Sequence, residues 1–249
     1  MNELKNKIAL VTGGNRGIGR GIVETLTAQG VHVWALARDA ERLETLKREV
    51  PGVDIISADV TDPAVAAEAL HEVCPDILVL NAGAMPTMMP AHQQTWEQFS
   101  TVWDTDVKST FEFGKEALTM PLKPGSAVII VSSGAALSGS PLSGSYAGAK
   151  RTQWFMAQYF QGESKALNRD IRFIALVPMQ IVGSTDIGHK AATVYGAQQG
   201  LTKEQFLELR GVPLTPEGVG QGVLSLLTDN TYGEGVAFGI NGEGVKALN

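Results

Sequence analysis

Short apolar runs alternate along the chain with longer stretches of mixed polarity. The runs are 7-KIALVTG-13, 31-VHVWALA-37, 53-VDIISADV-60, 76-DILVLNAG-83, 126-SAVIIVSS-133, 171-IRFIALVP-178 and 236-VAFGI-240. Most are continuous and β-branched, the pattern of strands covered on both faces. The stretches between them read as helices. Asp39 is placed to cap AERLETLKREV, and Asp62, with Pro63 at the first helical position, to start AVAAEALHEV. This alternation predicts an α/β fold, a doubly wound sandwich with a parallel sheet of about seven strands and right-handed crossovers. No repeat or linker interrupts it, so residues 1–249 read as a single domain. Residues 183–212 contain no strand and precede a helix beginning near Pro216. A substrate lid would sit in such an insertion after a strand's C-terminal end; a plain surface excursion has the same pattern.

Composition narrows the setting. The net charge of -6 argues against a nucleic-acid footprint. One cysteine, Cys74, rules out an intrachain disulfide and makes a reducing cytoplasm the expected compartment. The N-terminus has no apolar run of signal-peptide length, and no segment reaches the roughly 20 apolar residues that cross a bilayer. No membrane partner and no metal site are expected.

The first candidate chemistry is 12-TGGNRGIG-19, between the first strand and the first helix. Its glycines, Gly13, Gly17 and Gly19, are spaced G-x-x-x-G-x-G. Missing Cβ atoms let backbone approach a pyrophosphate, which the following helix N-terminus stabilises, so the fold reads as Rossmann-type and the ligand as a dinucleotide. The loop contributes Gly13, Asn15, Arg16, Gly17, Ile18 and Gly19. At the end of the second strand a carboxylate would hold the ribose of NAD; Ala37 and Arg38 stand there instead, and Arg16 adds a second guanidinium. Two such cations suit a 2′-phosphate, favouring NADP(H) over NAD(H). Asp39 is the opposing signal, and its position suits a helix cap better.

Further signatures follow in order: Asp59-Val60, 80-LNAG-83, Ser133, and 146-YAGAK-150, with Ser133 lying 13 positions before Tyr146. Together with TGGNRGIG they make the chain resemble the short-chain dehydrogenase/reductase family over essentially its whole length. The resemblance implies that Asp59 and Val60 flank the adenine. It also implies that Asn81, Ala82 and Gly83 line the cofactor's floor, and that Pro178 and Ile181 lie beside the nicotinamide. A homodimer or homotetramer joined through the helices carrying Asp106 and Tyr146 is expected on the same ground.

The residues support the implied chemistry. Hydride addition to a carbonyl leaves an alkoxide needing a proton from an acid poised near the operating pH. A free tyrosine titrates near 10, and bringing it to about 7 takes roughly 4 kcal/mol of preferential phenolate stabilisation. A nearby cation does this. Tyr146 and Lys150, at i and i+4, share a helix face. Lys150 would also reach the nicotinamide ribose, and Ser133 would orient the substrate carbonyl. Tyr-x-x-x-Lys alone is common on ordinary helices; its context gives it meaning.

Two positions depart from the family's pattern. Asp106 stands where an asparagine is usual, a residue that bends its helix and offers its carbonyl to a water in the proton relay. Its carboxylate near Lys150 would favour the charged lysine and shift the pH optimum, or it is neutral drift. In 178-PMQIVGST-185, Met179 replaces glycine and Gly183 a threonine that binds the carboxamide, with Ser184 and Thr185 displaced. Met85, Met88 and Met89 are expected to gather with Met179 at the site's mouth and favour an apolar carbonyl or alcohol substrate. The leading expectation is an NADP(H)-dependent oxidoreductase interconverting a carbonyl and an alcohol, acting as a reductase. Two alternatives stay open. One is epimerase or dehydratase chemistry on a nucleotide-sugar, which usually needs a larger C-terminal domain. The other is a catalytically weak cofactor-binding sensor or scaffold.

Overall fold

The computed structural model describes residues 4–120, 122–233 and 235–248. Among them, eight strands form one sheet in the order β3-β2-β1-β4-β5-β6-β7-β8. All seven expected strands are present: β1 Ile8–Thr12, β2 His32–Ala37, β3 Val53–Ser57, β4 Ile77–Leu80, β5 Ala127–Val131, β6 Arg172–Pro178 and β7 Ala237–Asn241. They pair parallel throughout. The eighth, β8 Gly244–Ala247, adds an edge strand to the expected sheet of about seven. It turns back antiparallel on β7, with Asn241 facing Gly244 across a two-residue hairpin loop. Its residues are half-buried or exposed, so no apolar run announces it.

Ten α-helices accompany the strands among the described residues: α1 Gly17–Ala28, α2 Ala40–Glu49, α3 Pro63–Val73, α4 Trp96–Val102, α5 Lys108–Thr119, α6 Ala135–Ser138, α7 Gly144–Ala166, α8 Asp186–Gln198, α9 Lys203–Glu208 and α10 Pro216–Thr228. Asp39 caps α2 by accepting from the Arg42 N–H at 3.0 Å, and Asp62 caps α3 ahead of Pro63, both as expected. The strands are apolar on both faces because each face has its own core. Ala9 and Val11 of β1 pack with Leu26 of α1, Leu43 of α2 and Val223 of α10. Leu10 points the other way, toward Leu70 of α3, Phe113 of α5 and Trp154 of α7. Period-two side-chain alternation thus separates one strand into two cores.

Strand order reverses between β1 and β4, and the crevice outside their C-terminal ends is where ligands bind in open α/β sheets. Residues 183–212 fold as α8 and α9, beyond the end of β6.

Candidate active site

A cleft of about 1050 Å³ opens along these C-terminal strand ends. At one end lies the glycine loop. Gly13 adopts φ +66°, and a Cβ there would stand 2.9 Å from the Ala82 Cα. A Cβ on Gly19 would fall 2.1 Å from the Gly13 carbonyl oxygen and 2.5 Å from the Asn81 side chain. The loop therefore closes against β4 only with glycine at both positions. Asn81 Nδ2 donates to the carbonyls of Thr12 (3.1 Å) and Gly13 (3.3 Å), while buried Thr12 Oγ1 accepts from the backbones of Asn81 and Ala82. Helix α1 starts here with Arg16 as its cap residue and no side chain bonded to its first N–H groups. A glycine-rich loop beneath an uncapped helix N-terminus fits a dinucleotide's pyrophosphate.

Three guanidiniums stand at the loop's outer edge. Arg16 pairs with Asp186 at the start of α8 (2.5 Å), and Arg38 with Asp59 (3.5 Å). Arg42 pairs with Asp39 (3.3 Å) and lies 4.0 Å from Asp186. Arg42 escaped the sequence reading; its only signal was its place one helical turn beyond the Asp39 cap. The Thr61 backbone N–H, its hydroxyl and Arg38 together hold the Asp59 carboxyl below the usual aspartate range. Asp59 and Gly19 adjoin the cleft without lining it: Val60 and Gly13 line it, as do all the other expected site residues.

The reacting corner is built where β5 meets α7. Ser133 closes β5, and its Oγ accepts from the Ala135 N–H at 3.3 Å. Ser132 Oγ donates to the Lys150 carbonyl at 2.7 Å, tying α7 to the strand. Tyr146 and Lys150 occupy the first two turns of α7, with Lys150 Nζ 5.5 Å from the Tyr146 ring centre. Nζ also donates to the Val131 carbonyl (3.3 Å) and lies 3.1 Å from Asp106 Oδ2. Burial alone would lower the Lys150 pKa. The Asp106 carboxylate and Tyr146 outweigh that and leave it above the ordinary lysine value. The charge-favouring effect expected of Asp106 on Lys150 is thus present.

Asp106 is delivered by a bend. Residues Trp103–Val107 form a π-helical turn between α4 and α5. Its wider coil turns the buried carboxylate inward, where Oδ1 accepts from the Ala84 N–H at 2.8 Å. The Asp106 carbonyl already accepts from Gln153 Nε2 (3.1 Å), Thr110 Oγ1 (2.8 Å) and Ser109 Oγ (3.3 Å). The carbonyl that the resemblance assigns to a water is occupied by protein donors here; the side chain is what faces Lys150.

At the other departure, a Cβ on Gly183 would meet Leu207 Cδ1 of α9 at 2.6 Å. Leu207 fills the space a threonine would need. Thr185 is committed to capping α8, accepting from the Gly188 N–H and donating to the Val182 carbonyl. Ser184 lines the cleft. Of the methionines, Met88 and Met179 line it, whereas Met85 and Met89 do not, which halves the expected thioether cluster. The far end adds Ser140, Ser143, Tyr195, Gln199, Phe206 and Arg210. Tyr195 of α8 bonds Ser140 through its hydroxyl (2.5 Å) and accepts from the Leu142 N–H (3.2 Å).

The short chain dehydrogenase family model matches residues 7–196. The chain belongs to that family. Among relatives of this short-chain dehydrogenase, an uncharacterised oxidoreductase of Mycobacterium tuberculosis is 34% identical over 179 residues, 70% of this chain and 69% of the relative. L-xylulose reductase of Mesocricetus auratus is 34% identical over 109 residues, 44% of this chain and 45% of the relative. Carbonyl reductase [NADPH] 2 of Sus scrofa is 35% identical over 104 residues, 42% and 43% of the two chains. The chain thus spans less than half the length of the two named reductases. In structure it resembles the 3-ketoacyl-(acyl-carrier-protein) reductase of Brucella melitensis complexed with NADH, with TM-score 0.78, 20% identity and 96% and 98% of the two chains covered. None of the described helices is long and apolar enough to cross a membrane, and no group of described residues has metal-ligand geometry.

Proposed function

We propose that this short-chain dehydrogenase reduces a carbonyl compound to an alcohol with NADP(H). The observation that carries the reading is the convergence of Ser133, Tyr146 and buried, charged Lys150 on one cleft with the glycine loop. Gly13, Asn15, Gly17 and Ile18, with the uncapped end of α1, would hold the pyrophosphate. Val60 would meet the adenine, Asn81, Ala82 and Gly83 the floor, and Pro178 and Ile181 the nicotinamide face. Bound there, the nicotinamide supplies the hydride. Ser133 orients the substrate oxygen, Tyr146 gives its phenolic proton to the forming alkoxide, and Lys150 stabilises the phenolate left behind. Asp106 holds Lys150 in place and charged.

Arg16, Arg38 and Arg42 support NADP(H) over NAD(H), since Asp39, the carboxylate just beyond β2, caps α2. Met88, Met179, Leu137 and Phe206 favour an apolar substrate body, with residues 183–212 as its lid. Exposed Phe111 on α5 and exposed, stacked Phe155 and Tyr159 on α7 suit a homo-oligomer joined through these helices. The test follows NADPH and NADH oxidation at 340 nm against diverse ketones and aldehydes. Tyr146→Phe is expected to lose about 10²- to 10⁴-fold in kcat. Full activity in Tyr146→Phe would sink the mechanism.

A further inference from the structure

Five cationic side chains line the cleft: Arg16, Arg38, Arg42, Lys150 and Arg210. Four have a carboxylate partner, in Asp186, Asp59, Asp39 and Asp106 respectively. Arg210 has none among the described residues. The acidic residues lining the same cleft, Asp39, Asp106 and Asp186, are all paired with the other cations. The substrate end therefore carries one positive charge with no counterion.

Arg210 is held in place by two contacts. Gln180 donates from Nε2 to the Arg210 carbonyl at 2.6 Å, while its Oε1 accepts from the Gly242 N–H at 3.0 Å. This fixes the backbone of Arg210 to the ends of β6 and β7, next to Met179. The guanidinium carbon lies 4.4 Å from the ring centre of Phe206, itself 1% exposed. Resting a guanidinium on an aromatic face leaves its N–H donors available, and none of them meets a protein acceptor among the described residues. Arg210 is exposed, and its unpaired fork of donors rests on Phe206 at a wall shared with Ser140, Tyr195 and Gln199, the form of an oxyanion receptor.

We infer that the substrate carries an oxyanion, a carboxylate or phosphate, at the end of its apolar body, and that Arg210 binds it. This rests on the carbonyl-reductase reading above and specifies its substrate class: an oxo acid or oxo phosphate. Gln180 is then a positioning residue, acting through the Arg210 backbone.

The test uses a series of oxo acids with one to five methylenes between carbonyl and carboxylate, each against its own methyl ester, with a matching oxo phosphate as a second arm. For at least one chain length the wild type is expected to prefer the acid or the phosphate by roughly 10- to 100-fold in kcat/KM. Arg210→Met keeps an apolar cover on Phe206 and removes the charge. It should bring that preference below about threefold, mainly through KM, and leave the ester unchanged, while Arg210→Lys retains part of it. Calorimetric binding of the matching unreactive alkanoate and alkyl phosphate reads the same site without turnover. Tyr146→Phe should cut reduction about 10²- to 10⁴-fold yet keep this binding, which separates the two ideas. Equal treatment of acid and ester at every length, equal losses for both in Arg210→Met, or a change confined to NADPH affinity would each overturn the inference.

Discussion

The Lys150–Asp106 pair gives a quantitative test of how the site is held. Their side chains are 6% and 1% exposed, and Nζ lies 3.1 Å from Oδ2. Two unit charges at that distance attract by about 5 kcal/mol at an effective dielectric of 20. Several kcal/mol per ion is spent in removing them from water, so the intact pair adds little on balance. Leaving either charge alone is different, and costs about 3–5 kcal/mol. Lys150→Met and Asp106→Asn should therefore each lose about that amount in urea unfolding of the cofactor-free protein. The double variant should lose no more than about 1–2 kcal/mol, because no stranded charge remains. At about 2–4 °C per kcal/mol for a chain of this size, each single change lowers Tm by roughly 6–20 °C. Losses that simply add in the double variant would refute the coupling.

The same pair fixes a pH dependence. The folded-state pKa of Lys150 is raised, so its contribution is complete below the unfolded lysine value near 10.4 and is lost as pH rises through the folded one. The stability gap between wild type and Lys150→Met should hold from pH 7 to 10 and shrink above that window. In the Asp106→Asn variant the ammonium acts on Tyr146 alone, and the pH–rate profile for alcohol oxidation should move to lower pH. An unchanged profile would mean that Asp106 serves only to pack the site.

Three other outcomes are expected. Asp186 holds Arg16 and approaches Arg42, so a 2′-phosphate must compete with it; Asp186→Asn should tighten NADPH binding about 2- to 5-fold and leave NADH unchanged in fluorescence titration, the scale of an exposed ion pair. Gly19→Ala puts a Cβ 2.1 Å from the Gly13 oxygen, and calorimetry should show NADPH affinity falling by roughly tenfold or more, about 1.4 kcal/mol. Light scattering should find a wild-type oligomer that Phe155→Arg with Tyr159→Arg breaks into monomers; a monomeric wild type refutes that assembly.

Seven strands were legible because burial on both faces leaves continuous β-branched runs, and the glycine loop because backbone contact forbids any other residue there. The eighth strand was not. GVKA is held by a tertiary pairing with β7, and its half-buried and exposed positions carry no periodic signal. The π-helical turn left no trace in the residue pattern; only the family resemblance, which implies a helix bend at 106, pointed to it. WDTDV suits an ordinary helix, and the wider coil is evident only beside the Ala84 amide and Gln153 that Asp106 meets there.

The site divides along the same line. Ser133, Asn81 and Pro178 stand at strand ends, so reading the strands already put them at one edge of the sheet. Arg42, Tyr195 and Arg210 belong to helices or helix ends whose packing no single-chain pattern specifies, and each acquires meaning from a partner or from the lack of one. Gly183 shows both sides of this. Its sequence context marks a missing hydroxyl, which reads as a defect in cofactor binding. The fold adds Leu207 of α9, whose Cδ1 lies 2.6 Å from where a Cβ at 183 would stand. A threonine there would displace the tip of Leu207, a side chain of the helix that carries Phe206 and leads into Arg210. Glycine at 183 thus leaves the space that Leu207 fills, on the helix that brings Phe206 to the cleft wall.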